Sequence, residues 1–478
     1  GAGTFTFTPA SGTAATSGSV TINPGAATKL VVTGTGTQTA GGSQTVTITA
    51  KDADGNTATT YTGAKNITFS GAAASPSPAT TPTVAGTNFG TATSLTFTAG
   101  VASGTMILYK AESATVNASD GTINSNTGGT LNVTVSSSTM TKLGTVTMAS
   151  PQTNGTAFTG TNTLTALDAY GNTATGFDAS ANNITLIPSL SGAISGLSGG
   201  NKLTGSGDFV NGVANLTSLG LTFTGVSGTL SITFAPTSGT GIVGPNITLN
   251  PGAATKLVVT GTGTQTAGAS NSITITAKDA SGNTATGYTG SKNLTFSGAT
   301  SSTAPVTTAK VTNSAATDIA FGTTTALTFA SGAVTTNMKL YNVETALVAV
   351  TDGAISAAGA DRLSVAVSAA AFNKLAVSLT SPQTNGTAFT GTNTLTAQDA
   401  YGNTVTGFAA NTNNVTVTTS LTGTVSGLGS GVNNVLNQAG DFTSGVANLT
   451  SLGLKFTGTS GAGTFTFTPA SGTAATSG

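Results

Sequence analysis

Four times the chain spells Asp-x-x-Gly-Asn between two strand-like runs. The copies are Asp52, Gly55 and Asn56 in AKDADGNTATTY; Asp168, Gly171 and Asn172 in ALDAYGNTATGF; Asp279, Gly282 and Asn283 in AKDASGNTATGY; and Asp399, Gly402 and Asn403 in AQDAYGNTVTGF. Carboxylate and amide oxygens gathered in one turn are the chemistry of a calcium loop, and Asp54 adds a second carboxylate to the first copy. Tyr170, Ser281 and Tyr401 stand at that place in the others, so a cation site is not a property of the repeat. The same residues suit a tight turn, in which Asp accepts backbone N–H groups and Gly supplies a positive φ. That is the role the spacing predicts, with no metal and no cofactor.

Composition narrows the chemistry further. The 478 residues include no Cys, His or Trp, and the 14 basic and 14 acidic side chains cancel. Without Cys and His, the usual zinc sites, Cys–His dyads and Ser-His-Asp triads cannot form. The charges are spread along the chain, so no residue is predicted to be catalytic. A neutral chain with a single Arg is poorly suited to nucleic acid or to anionic lipid. No apolar run approaches the ~18 residues of a membrane span. Hydrophobic residues make up 37% of the chain and alternate with polar ones in short runs, which argues against disorder and for strands.

Repeats organise these strands. Residues 1–18, GAGTFTFTPASGTAATSG, return letter for letter as residues 461–478. PGAATKLVVTGTGTQTAG occurs at 24–41 and 251–268, and SPQTNGTAFTGTNTLTA at 150–166 and 381–397. A Lys-Leu pair recurs at Lys29, Lys142, Lys256 and Lys374, in steps of 113, 114 and 118 residues. The period of 460 therefore holds four modules, each the size of a small sandwich domain. They divide as A (24–140), B (141–250), A′ (251–371) and B′ (372–478), with 1–23 as the end strand and linker of a preceding B-type module. On this reading B′ is incomplete at its C-terminus.

Module A predicts about seven strands: 29–33, 45–50, 66–69, 94–98, 105–110, 114–117 and 131–135. In 45–50, period-two alternation puts Val46, Ile48 and Ala50 on one face. Module B is expected to end on the strand 230–234, and its counterparts 4–8 and 464–468 alternate Thr with Phe, turning Phe5, Phe7, Phe465 and Phe467 toward a core.

At the Asp-x-x-Gly-Asn turns, one per module, the chain resembles bacterial Ig-like domains, the modules of invasin- and intimin-type stalks and of giant surface adhesins. The wider resemblance is to filamin-like sandwiches. It implies an all-β fold, tandem Ig-like β-sandwiches in an elongated array, and an extracellular or cell-surface setting. Some domains of this kind carry Lys–Asn crosslinks helped by a buried acid; Glu112 and Glu344 stand in late strands of A and A′, while B and B′ hold no Glu. The plainer role of Lys29, Lys142, Lys256 and Lys374 is a stem along the strand with its ammonium in water.

Two partner classes are expected: the chain itself, as tandem array, homopolymer or lateral bundle, and glycans. Asn-x-Ser/Thr sequons occur at Asn66, Asn117, Asn132, Asn154, Asn183, Asn215, Asn246, Asn293, Asn385, Asn414 and Asn448, and glycans there would keep a neutral fibre soluble. The abundant Thr is scattered rather than set in a flat lattice, so β-propensity explains it better than ice binding. The function these features predict is structural: an extracellular filament or surface stalk. Its repeated ends fit one long array, the favoured version, or a subunit polymer in which Phe5 and Phe7 enter a neighbour's B′ sheet. The alternative is the extender of a large adhesin whose binding domain lies outside these residues.

Overall fold

In module A, Leu30 and Val32 alternate with Lys29, Val31 and Thr33, and Val46, Ile48 and Ala50 alternate with Thr. Burial follows that alternation, because a half-buried strand turns every second side chain inward. The computed structural model, which describes residues 1–428 and 434–478, shows an all-β tandem of Ig-like sandwiches. It divides into two units, Gly1–Asn250 and Pro251–Gly478. Each unit holds two separate hydrophobic cores: Leu30 to Val135 and Leu143 to Leu249 in the first, Leu257 to Val367 and Leu375 to Ala475 in the second. Each fully buried Phe or Leu contributes roughly 1.5–3 kcal/mol, so every core can support its own sandwich.

Module A faces two five-stranded sheets against each other. One runs Thr87–Asn88, Thr83–Val84, Val101–Ile107, Ser43–Lys51, Lys29–Thr33; the other runs Ala92–Phe97, Gly63–Ser70, Ser113–Ser119, Leu131–Ser136, Thr37–Thr39. All seven predicted strands are present within a few residues. Sequence reading missed Thr37–Thr39, which pairs in parallel with Leu131–Ser136. Its inward residue is Gln38, so no apolar alternation announces it. Module A′ repeats both sheets in the second unit.

Module B corrects one expectation. The segment 230–234 is neither one strand nor the last. It breaks at Ser231: Gly228–Leu230 pairs with Ile247–Asn250, and Ile232–Pro236 pairs with Ile184–Pro188. Ile242–Val243 and Ile247–Asn250 then close the sandwich. Those strands lie in a stretch rich in Gly, Ser and Pro, whose composition reads as loop.

Candidate functional site

Each Asp of the repeated turn has its carboxylate occupied by N–H donors. Asp52 Oδ1 accepts from Asp54 N–H at 3.1 Å and Asn56 N–H at 2.8 Å, and Asp168, Asp279 and Asp399 accept from the equivalent amides at 2.9 Å. Gly55, Gly171, Gly282 and Gly402 complete the turns at φ between 81° and 87°, where a Cβ is strained. The other carboxylate oxygen reaches back to the linker that precedes its own module. Asp52 accepts from Gly25 N–H at 2.9 Å, Asp168 from Ser138 at 3.0 Å, Asp279 from Gly252 at 3.0 Å and Asp399 from Ala370 at 2.9 Å. The turn is thus a clamp that fixes where the chain enters each sandwich. No group of three or more metal-ligating side chains occurs among the described residues.

The clamp shifts the acids of the A-type modules. The Gly25 amide, opposed by burial and helped by Asn56 and Asp54, holds the Asp52 carboxyl below its usual range. Burial pushes Asp279 up, but hydrogen bonds from Asn283, Gly252 and Ser281 outweigh it and hold that carboxyl low as well. Each is a carboxylate stabilised by the donors around it.

In the B-type modules the same turn also builds a joint. Asn172 Nδ2 donates to Tyr109 O and its Oδ1 accepts from Ala111 N–H, both at 2.8 Å. Asn403 does the same with Tyr341 O at 2.8 Å and Val343 N–H at 2.9 Å. Both Asn side chains are buried, so each reaches out of its own sandwich into the module before it with both ends of its amide satisfied. Tyr170 packs on Tyr109 and Tyr401 on Tyr341, with ring centroids 5.0 Å apart in each pair. Gly41 and Gly268 make room for them: a Cβ would lie 2.1 Å and 2.0 Å from the Tyr170 and Tyr401 hydroxyls. Ser77 N–H donates to Tyr170 O, and Lys142 Nζ donates to Ser77 O. Ala304 and Lys374 repeat both bonds with Tyr401 in the second unit.

A second difference lies just after the turn. Tyr61 and Tyr288 donate to Asp120 and Asp352 at 2.6 Å. Burial first, and then the acid partner, raises both phenols above their ordinary 10.0. Phe177 and Phe408 take that place in the B-type modules, edge-on to Phe209 and Phe442.

The remaining predicted residues fall elsewhere. Glu112 pairs with Lys110 and accepts from Ala73 N–H, Glu344 accepts from Thr300, and Lys256 pairs with Asp361. Among the sequons, Asn66, Asn132, Asn215, Asn246, Asn293, Asn385, Asn414 and Asn448 are exposed, and Asn117 and Asn183 half-buried. Asn154 is buried and exchanges two hydrogen bonds with Gly225. Phe465 and Phe467 sit in the B′ core, whereas Phe5 and Phe7 are 55% and 67% exposed. Sequence reading missed Tyr109, Tyr341, Gly41 and Gly268; the available signal was a Tyr confined to the B-type turns.

Comparison with solved structures finds tandem β-domain proteins. The bacterial integrin-binding protein invasin is 13% identical over 92% of this chain and 76% of its own, with a TM-score of 0.28. InvD of Yersinia pseudotuberculosis is 17% identical over 70% of this chain and 95% of its own, at 0.30. Domains 1–6 of the surface layer protein SbsC are 18% identical over 95% of this chain, at 0.20. The chain spans about half of that S-layer fragment, 51%. These neighbours are bacterial Ig-like repeat proteins. No protein-family model matches the chain, and no curated protein matches it.

Proposed function

We propose that the chain is a structural segment of an extracellular filament or cell-surface stalk, in which each B-type module is fixed to the A-type module before it. The observation that carries this reading is the joint, built twice from the same parts: Tyr109, Tyr170 and Asn172, then Tyr341, Tyr401 and Asn403. A buried, fully bonded amide beside a pair of tilted, packed tyrosine rings resists bending. The turn acids are engaged in holding linkers, which supports a non-enzymatic role. Glycans, where attached, belong on exposed sequons such as Asn66 and Asn293 rather than on Asn154. No helix among the described residues is long and apolar enough to cross a membrane.

Antibodies raised against the chain should decorate filaments at the cell surface in immuno-electron microscopy. Label confined to the cell interior overturns the proposal. Filaments ending in a distinct globular tip, unlabelled by the same antibody, would favour the adhesin extender.

A further inference from the structure

Modules A and A′ carry the same sheet edge in two states. In A′ the outer strand Thr324–Phe329 is covered by a loop of its own module. Ser314 N–H donates to Ala326 O at 3.1 Å, and Ser314 Oγ accepts from Thr328 N–H at 2.8 Å. Ser314 belongs to the loop of a hairpin that pairs Lys310–Thr312 with Asp318–Ala320. The hairpin of module A starts from the same register, since Val84 faces Met106 as Val311 faces Met338. It then pairs Val84 with Thr87 and turns on Ala85 and Gly86 alone, where A′ has residues 312–318. The cap is therefore missing from module A.

The strand left open is Ala92–Phe97. Its Leu95 lies opposite Lys65 as Leu327 lies opposite Lys292, and it ends its sheet. Ser94 O and Thr96 N–H thus take the places of Ala326 O and Thr328 N–H, and no group among the described residues bonds them. The outer strand Lys29–Thr33 of the facing sheet is not left so: Leu30 N–H donates to Asn124 O at 3.0 Å and Val32 N–H to Gly129 O at 2.7 Å. An uncovered edge is a template for another strand, and proteins that avoid such pairing place Lys, Pro or a bulge on it. Ala92–Phe97 reads ATSLTF and pairs with Gly63–Ser70 without a shift of register, so it carries none of the three.

We infer that Ala92–Phe97 pairs antiparallel with the same strand of a second copy of this chain, about a two-fold axis at Leu95, with Ser94 of each copy opposite Thr96 of the other. The strand's own pattern selects that occupant. The N–H and C=O groups of Ser94 and Thr96 point outward together, so this register exchanges main-chain hydrogen bonds at both Ser94–Thr96 pairs. Thr93, Leu95 and Phe97 stay buried in their own module, and the side chains that meet on the outer face are Ala92, Ser94 and Thr96. All three are small and uncharged, so no like charges are opposed across the contact. A two-fold contact joins one A edge to one other and is then satisfied, while the A′ edge is already capped. The inference rests on the filament reading and names the edge at which two filaments meet side by side.

The chain has no Cys, so introduced thiols report the register directly. Ser94→Cys and Thr96→Cys are made in separate copies of the 478-residue chain; both side chains are exposed, so each variant stays folded. Opposed hydrogen-bonded residues have Cα atoms ~5.5 Å apart, within reach of a disulfide, whereas the diagonal pairs, residue 94 to 94 and 96 to 96, lie ~7–8 Å apart and out of reach. On oxidation an equal mixture should give a dimer whose disulfide joins residue 94 to residue 96, and either variant alone should stay monomeric on a non-reducing gel. Replacing Ala85-Gly86 by residues 312–318 of A′ in both variants should cap the edge and abolish the dimer. The comparison of the mixture with the single variants decides the inference whether or not the grafted hairpin folds. A mixture that stays monomeric, single variants that dimerise as readily as the mixture, or a dimer that survives a folded graft overturns the inference. A monomeric mixture gives the edge to some other strand and leaves the filament reading standing, since a filament can run singly. Cross-linked dimers with no surface filaments defeat the filament reading alone.

Discussion

The A-type and B-type turns share Asp, Gly and Asn and differ at one position between them. In module A that position is Asp54, in A′ it is Ser281, and both are exposed. In B and B′ it is Tyr170 and Tyr401, each packed at a steep tilt against a Tyr of the preceding module. The Asp does the same work in all four, capping its own turn and holding a linker amide. The Asn differs with its surroundings: Asn172 and Asn403 are buried and bridge two modules, while Asn56 is exposed and bonds Asp52. One aromatic side chain thus turns an intramodule clamp into an intermodule joint, because its ring excludes water from the amide beside it and makes those hydrogen bonds matter.

The sharpest way to break the contrast is at the Asn. Asn172→Ala leaves Ala111 N–H and Tyr109 O without their partner, at a cost of about 2–4 kcal/mol. The thermal transition of module B should fall by several degrees and separate from that of module A in calorimetry. Asn56→Ala, on the exposed turn, should move module A far less. Next is the ring. Tyr170→Ser gives module B the turn of A′ and should weaken the joint by ~1–3 kcal/mol, with the turn itself retained. Gly41→Val should mimic it from the other side, since the new side chain takes the space of the Tyr170 hydroxyl.

A pH titration separates the types by a smaller effect. The raised phenols of Tyr61 and Tyr288 favour the neutral, hydrogen-bonded form in the folded state. Their contribution is complete below the ordinary tyrosine pKa near 10.0 and is lost as pH rises above it. Alkaline denaturation should therefore reach A-type modules first, and Tyr61→Phe should narrow the gap. In the folded chain, absorbance near 295 nm should show Tyr61 and Tyr288 ionising last. At the acid end the sign reverses: Asp52 and Asp279 are held low, so their contribution is complete above the ordinary carboxylate value near 3.8 and is lost below it, as pH falls toward their lowered values. The smallest effect expected is Asp54→Tyr, within about 0.5 kcal/mol, because the side chain at that position is exposed.

Much of the fold was readable because half-buried strands write their burial into the sequence. Val46, Ile48 and Ala50 alternate with Thr, and all three are buried. Where the inward residue is polar, as at Gln38, or where a strand is two residues long, as at Ile242–Val243, the alternation has too few terms to see. The spacing of Asp, Gly and Asn likewise names a turn, since a carboxylate reaches amides two and four residues on. It does not name Gly25 or Ser138, some thirty residues upstream, nor Tyr109 in another module. Those partners become neighbours only after the sandwich has closed.

The chain's two ends separate the two kinds of information within one sequence. In residues 1–18, Thr6 faces Thr16 and Phe7 faces Ala15; in the identical residues 461–478, Thr466 faces Thr476 and Phe467 faces Ala475. The local register is thus the same twice, as turn chemistry and alternation require. Burial is opposite: Phe7 is 67% exposed and Phe467 is fully buried, because Phe465–Pro469 lies against Val415–Thr419 and, among the described residues, Thr6–Phe7 pairs only with Ala15–Thr16. Sequence determined which side chains alternate and which residues pair nearby, since those depend on bond geometry over a few residues. Whether the apolar face meets a core or water was decided by the tertiary structure, because that depends on strands some fifty residues away.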